Sequence, residues 1–240
     1  MKNIELLSFA TADDLARAAA AAWLDEIEAA NRAGKTHSVA LSGGRITQNF
    51  FTSVVAQNKT RNISFAGVHF FWADERCVPP TNPDSNFKMA DELLFTPLKI
   101  SAEKIHRLRG ELPPAKAVEI AAAEVMQWVS AAPTPTPLPK LDLIFLGMGE
   151  DGHIASLFPN ATAKILDNSA SFLVVENSPK PPPTRISLSF AAIAAARQVW
   201  TLVSGTGKET AFRESLKSDG KTPLARVIRS RPVKIFSDLS

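Results

Sequence analysis

The 240-residue chain contains a single cysteine, Cys77, which excludes an internal disulfide and any multi-cysteine zinc site. That usage fits a reducing compartment, and a cytoplasmic location is expected. Long apolar runs are missing too. The most apolar helical stretch, residues 18–24, is closed off by Arg17 and Asp25, far short of the ~20 residues a bilayer span requires. Lys2 and Glu5 flank a short strand-like run with no apolar h-region, so no secretory signal is expected. The four histidines, at 37, 69, 106 and 153, show none of the i,i+4 pairing of a helical metal site. There is no Gly-x-Ser-x-Gly elbow, no sequence repeat and no long low-complexity run. Basic residues are scattered: 27 Lys and Arg against 24 Asp and Glu leave a net charge of +3. These absences argue against membrane, nucleic-acid and serine-hydrolase functions, and neither a metal nor a cofactor is expected.

What is present reads as an ordinary globular chain, 45% hydrophobic and 21% charged, and one domain over residues 1–240 is expected. Residues 4–9 read as a strand, followed by a helix from a Thr11 cap to about Arg32, with Gly34 as its stop. A strand over 38–41 breaks at Ser42-Gly43-Gly44-Arg45 before a helix over about 46–57. A third strand over 65–73 ends in Asp74-Glu75-Arg76, and prolines hold residues 77–86 as a loop before a helix to about Leu94. A short strand is expected over 105–108 and an amphipathic helix after Pro114. The prolines of residues 133–139 form a stiff connector into the apolar strand that starts at Leu141. Further strands are expected over 172–175 and 198–203, with a helix to about Lys217, and residues 233–236 close the sheet. This alternation predicts an α/β fold: a single domain with a mostly parallel sheet and helices on both faces.

The chemistry concentrates where that apolar strand ends, at Gly147-Met148-Gly149-Glu150-Asp151-Gly152-His153. The segment matches G-x-G-x-x-G in letters. As a dinucleotide site it fails, because Glu150 and Asp151 would oppose a pyrophosphate and Pro159 interrupts the helix that should follow. Gly205-Thr206-Gly207-Lys208 fails as a P-loop, with Leu202 at the leading glycine position and Glu209 at the magnesium-binding hydroxyl. Cys77 lies beside Asp74 and Glu75, whose charge disfavours a thiolate, so it reads as a plain loop cysteine. His153, next but one to Asp151 on a glycine turn, is the candidate acid–base group. Asp151 can hold its tautomer and stabilise its protonated form, and the plainer alternative is that Asp151 only caps the turn.

Four blocks in order resemble the 6-phosphogluconolactonases. They are Leu41-Ser42-Gly43-Gly44-Arg45; Trp72 through Pro80 with Asp84-Ser85-Asn86; Leu146 through Pro159; and Pro182 through Leu188. The second and third blocks are specific, and the first and fourth support them. The resemblance implies the fold shared with glucosamine-6-phosphate deaminases and ribose-5-phosphate isomerases, and a metal-free hydrolysis of a phosphorylated sugar lactone. It implies His153 as general base, assisted by Asp151, and Arg76 in the catalytic site. It implies Ser42, Gly43, Gly44, Arg45 and Lys208 as the phosphate grip, with Asp74, Asn86, Gly149 and Arg185 lining the substrate site. Arg45-Ile46-Thr47-Gln48 depart from the family, which usually continues with small residues and a proline.

Two rivals stand beside this reading. A deaminase on the same scaffold would use Asp74 to take a proton α to a carbonyl; such enzymes carry a glutamate where this chain has Phe158. A sugar-phosphate-binding module would keep the phosphate loops without turnover. No helix shows a sustained heptad seam, so a monomer is expected, with no nucleic-acid or membrane partner.

Overall fold

In the computed structural model, which describes residues 4–133 and 137–239, strands and helices alternate much as the apolar runs and glycine stops predict. β1 (Ile4–Ser8) leads into α1 (Ala12–Arg32), where the Thr11 side chain accepts the Asp14 N–H at 3.1 Å. β2 (His37–Leu41) is buried throughout. α2 (Arg45–Arg61) runs about a turn longer than its pattern predicts, because Asn62, at φ 51°, supplies the left-handed residue that ends it.

The single strand expected over 65–73 is instead shorter, and its acidic tail is a separate element. β3 (Val68–Trp72) stays in the parallel sheet, and β4 (Asp74–Arg76) starts a second, antiparallel one. α3 (Asn86–Ala90) is capped by Ser85 and passes through a wide π turn (Asp91–Phe95) into α4 (Thr96–Leu98). Residues 105–108 do not form the expected strand; Ile105 makes one bridge to Phe70, and His106 turns into a side-chain cluster. α5 (Pro114–Trp128) follows, and the proline connector falls partly on residues 134–136, outside the described residues.

β5 (Leu143–Gly147) is the apolar strand read from the sequence; then come α6 (Ala163–Leu166), β6 (Phe172–Val175), β7 (Arg185–Leu188) and α7 (Phe190–Ala195). β8 (Gln198–Val203), α8 (Glu209–Leu216), α9 (Pro223–Ser230) and β9 (Val233–Ser237) complete the order. Helix α9 has no counterpart in the sequence reading, although Thr222-Pro223 is a cap followed by an N1 proline.

Six strands form the parallel sheet in the order β1-β9-β8-β5-β2-β3, and β4-β7-β6 form the antiparallel one. β9 therefore does not close the sheet at an edge; it lies between β1 and β8. The edge falls to β1, where Leu6 stays 43% exposed, as an edge strand tolerates and an inner strand would not. From β2 the chain proceeds outward to β3, whereas from β5 it proceeds the other way to β8 and β9. The order reverses between β2 and β5, and an open α/β sheet offers its ligand crevice at the carboxyl ends of such a pair.

Aromatic packing makes the centre rigid. Phe145 of β5 meets Phe50 of α2 at 4.6 Å, Trp23 of α1 at 5.4 Å and Trp200 of β8 at 5.7 Å between ring centroids. All four rings are buried, so helices and strands are locked around the strand that carries the glycine turn. Among the described residues, no helix is long and apolar enough to cross a membrane.

Candidate active site

Where β2 and β5 end side by side, their exits are tied together: the Ser42 hydroxyl donates to the Phe145 carbonyl at 2.8 Å. Gly43 and Gly44 then carry the chain into α2. A Cβ on Gly43 would stand 2.0 Å from Asn86 Oδ1, and Gly44 adopts φ +113°, so both positions demand glycine. No side chain caps α2, which leaves the first N–H groups of a 17-residue helix for an anion.

The Asp74-Glu75-Arg76 block is divided by strand alternation. Glu75 turns inward and accepts the N–H groups of Arg76, Asn86 and Phe87, each at 2.8 Å, so it fastens the start of α3. Burial raises its carboxyl above the usual range, against those hydrogen bonds. Asp74 and Arg76 face a cleft of about 270 Å³. Asp74 Oδ2 accepts the buried Ser156 hydroxyl at 2.7 Å, and Asn86 Nδ2 donates to the Asp74 carbonyl at 2.9 Å. Asn86 thus acts first as a brace between Asp74 and Gly43. Arg76 Nη1 donates to the Asp84 carbonyl at 2.6 Å, while its buried Nε has no partner among the described residues.

The glycine turn places the aspartate–histidine pair. Asp151 Oδ1 lies 2.5 Å from His153 Nδ1 and 3.1 Å from the His153 backbone nitrogen, which donates to it. Burial alone would raise the Asp151 carboxyl; the hydrogen bonds and charge of His153 outweigh it and hold the group at about 2. An ionised carboxylate can only accept, so Nδ1 carries a proton, and in the neutral ring the lone pair is on Nε2. Gly152, at φ +79°, packs against Thr222, the cap of α9; the helix absent from the sequence reading is what supports this turn.

Cations line the cleft as well. Arg45, Lys180 and Lys208 line the same cleft. Burial pushes the Lys208 amine below its usual value and Arg45 adds to this, while Glu150 and Asp238 oppose it. Arg185, also buried, donates through Nε and Nη2 to the carbonyls of residues 180–182, so it shapes the proline loop that presents Lys180. Cys77 stays apart from this chemistry, its thiol raised to about 11 by burial and by Glu75.

Ser42, Gly43, Gly44, Arg45, Asp74, Arg76, Asn86, Gly149, His153, Arg185 and Lys208 line one cleft, and Asp151 stands behind His153. Lys180, Glu150 and Ser156 were not anticipated. The Lys-Pro-Pro-Pro run marks residues 180–183 as a rigid loop, and only the fold shows which way that loop faces.

A family model described as glucosamine-6-phosphate isomerases/6-phosphogluconolactonase matches residues 10–236. The chain is 36% identical over 215 residues to a 6-phosphogluconolactonase of Mycobacterium tuberculosis, covering 87% of this chain and 84% of that protein. It is 33% identical over 211 residues to one of Streptomyces coelicolor, covering 86% and 80%. The solved 6-phosphogluconolactonase of Trypanosoma brucei superposes with a TM-score of 0.85 at 27% identity, over 97% of this chain and 95% of that one. A monomeric glucosamine-6-phosphate deaminase shares the fold at a TM-score of 0.79 and 16% identity, over 98% and 96%.

Proposed function

From the premise that the chain belongs to the glucosamine-6-phosphate isomerase/6-phosphogluconolactonase family, we propose that it hydrolyses 6-phospho-D-glucono-1,5-lactone to 6-phospho-D-gluconate, in the oxidative pentose phosphate pathway. The observation that carries this reading is one imidazole nitrogen held by Asp151, while the other has no partner among the described residues, in a cleft also lined by Arg45, Lys180 and Lys208.

His153 Nε2 takes a proton from water as the water oxygen attacks the lactone carbonyl. The carbonyl pair moves onto oxygen, and Arg76 or the turn's backbone N–H groups stabilise that oxyanion. When the carbonyl re-forms, the bond to the ring oxygen breaks and the His153 imidazolium returns the proton to it. Asp151 stabilises the imidazolium between those two transfers. No covalent intermediate and no metal is invoked. General-base catalysis of this kind contributes ~10²–10⁴-fold. The 6-phosphate lies on the N-terminus of α2 with Arg45 and Lys208. Asp74, hydrogen-bonded to Ser156 and braced by Asn86, is assigned to substrate positioning rather than to deaminase-type proton abstraction. Within this reading the catalytic unit is a monomer and its setting a reducing cytoplasm, in keeping with the lone cysteine of the sequence.

The test is the hydrolysis rate of freshly generated lactone, corrected for spontaneous opening, with unphosphorylated gluconolactone alongside. A protein-dependent rate confined to the phosphorylated lactone is expected. Ammonia release from glucosamine 6-phosphate instead would move the assignment to the deaminases. Lys208→Ala should raise KM for the phosphorylated lactone roughly 10–100-fold, the worth of one charged hydrogen bond, with kcat less affected.

A further inference from the structure

One hydrogen bond does not fix an imidazole. The torsion that rotates the His153 ring ends on an sp² carbon and has a broad energy profile, so the ring can rock about its link to Asp151. Two further contacts close that freedom. Gly149 lies against the ring, since a Cβ there would be 2.0 Å from both Cε1 and Nδ1. Phe158 supplies the other: its ring centroid is 4.7 Å from that of His153, with the planes inclined by 38°.

That second contact is built with care by the local chain. Residues 153 and 158 would not meet in a regular strand or helix. They meet because the chain doubles back between Ile154 and Leu157, whose backbones exchange hydrogen bonds at 2.9 and 3.4 Å, with Ala155 at φ 47°. Ser156, at the tip of this reversal, is pinned through its hydroxyl to Asp74 and through its N–H to Ser187 Oγ at 3.3 Å. Phe158 itself is buried, and the Arg185 guanidinium lies 5.8 Å from its ring centroid. Arg185 is in turn anchored on the proline loop. The backbone reversal that carries the phenyl ring is thereby held on one side and the Arg185 guanidinium on the other.

We propose that Phe158 is a positioning residue for lactone opening: its ring sets the rotation of the His153 imidazole so that Nε2 faces the cleft, and it keeps Arg185 out of polar contact with the base. This rests on His153 being the general base. An apolar ring suits the task because it offers Nε2 no hydrogen bond. A carboxylate or amide at 158 would compete with water for that nitrogen or with Asp151 for the imidazolium.

Phe158→Met fills similar volume without a flat ring, and Phe158→Tyr keeps the ring. Misorientation of a base on this scale costs up to about 10²-fold, so Phe158→Met should lower kcat roughly 10–100-fold with KM little changed. Phe158→Tyr should restore most of the rate. In a nuclear Overhauser spectrum of the substrate-free protein, the contact between the His153 Cε1 proton and the Gly149 α-protons should weaken in Phe158→Met and persist in Phe158→Tyr. Circular dichroism and thermal unfolding of both variants separate loss of fold from loss of positioning. If Phe158→Met is folded and retains wild-type kcat while His153→Ala is inactive, the positioning role is wrong and the base stands. If His153→Ala keeps the wild-type rate, the base assignment fails and the positioning role falls with it.

Discussion

Among the described residues there are two histidine–carboxylate pairs, and they differ in what is left over. At the glycine turn, His153 Nδ1 is 2.5 Å from Asp151, and Nε2, beside the cleft, has no partner among the described residues. Across β3, His106 Nδ1 is 3.0 Å from Glu124, His106 Nε2 is 2.9 Å from His69 Nδ1, and His69 Nε2 lies 3.5 Å from Lys104 Nζ. The two imidazoles of this second cluster stack, and Trp128 covers them at 4.4 Å from the His69 ring. The chemical parts are the same, but in the second cluster every ring nitrogen has a partner. A histidine–carboxylate pair becomes a candidate catalyst when one nitrogen stays unspent and faces a space that substrate can enter; fully partnered, it is structural.

Substitutions separate the two. His153→Ala should lower kcat ~10²–10⁴-fold, far more than its cost to stability from the lost Asp151 contact, in lactonase and thermal-melt assays run together. Wild-type activity in that variant would end the distinction. Asp151→Asn should cost less, roughly 10–100-fold in kcat, because an amide can still accept from Nδ1 but does not neutralise the imidazolium. At the second cluster the signs reverse. His106→Ala should leave kcat unchanged and lower unfolding free energy by about 1–3 kcal/mol in urea titration, since Glu124 and His69 lose a buried partner.

The pH dependence of stability also tells the pairs apart. Burial, with Lys104 and His106 nearby, lowers His69 from its usual 6.5 to about 4, so in that interval the unfolded chain binds the extra proton. Its contribution is complete above pH 6.5 and is lost as the pH falls towards 4. Asp151, held at about 2 against a usual 3.8, keeps its contribution above 3.8 and loses it only below that. Melts of His69→Gln should lack the first loss, and melts of Asp151→Asn the second. Identical profiles for both variants would contradict this assignment of the two windows.

Much of this was legible in the chain. Apolar runs ending in glycine marked β2 and β5, and Thr11 marked the start of α1, because these signals are local and backbone-driven. Asp151 and His153 could be paired from sequence, since only Gly152 separates them. The antiparallel sheet was not legible: β4 is three residues long and takes its partner, β7, from more than a hundred residues away. α9 was overlooked although its cap is plain, and β9 was misplaced because strand order is set by crossovers rather than by any residue pattern.

The sequence by itself therefore determined the parallel α/β class, the glycine turns and the residue types of the site, all consequences of short-range sterics and apolar periodicity. Only the tertiary structure decided which of those residues share a cleft. It turned Glu75 inward and Asp74 outward, set Lys180 on the cleft's rim and brought Phe158 against His153. Each of those outcomes depends on packing between segments distant in the chain or on a reversal pinned by such packing, and no local pattern encodes it.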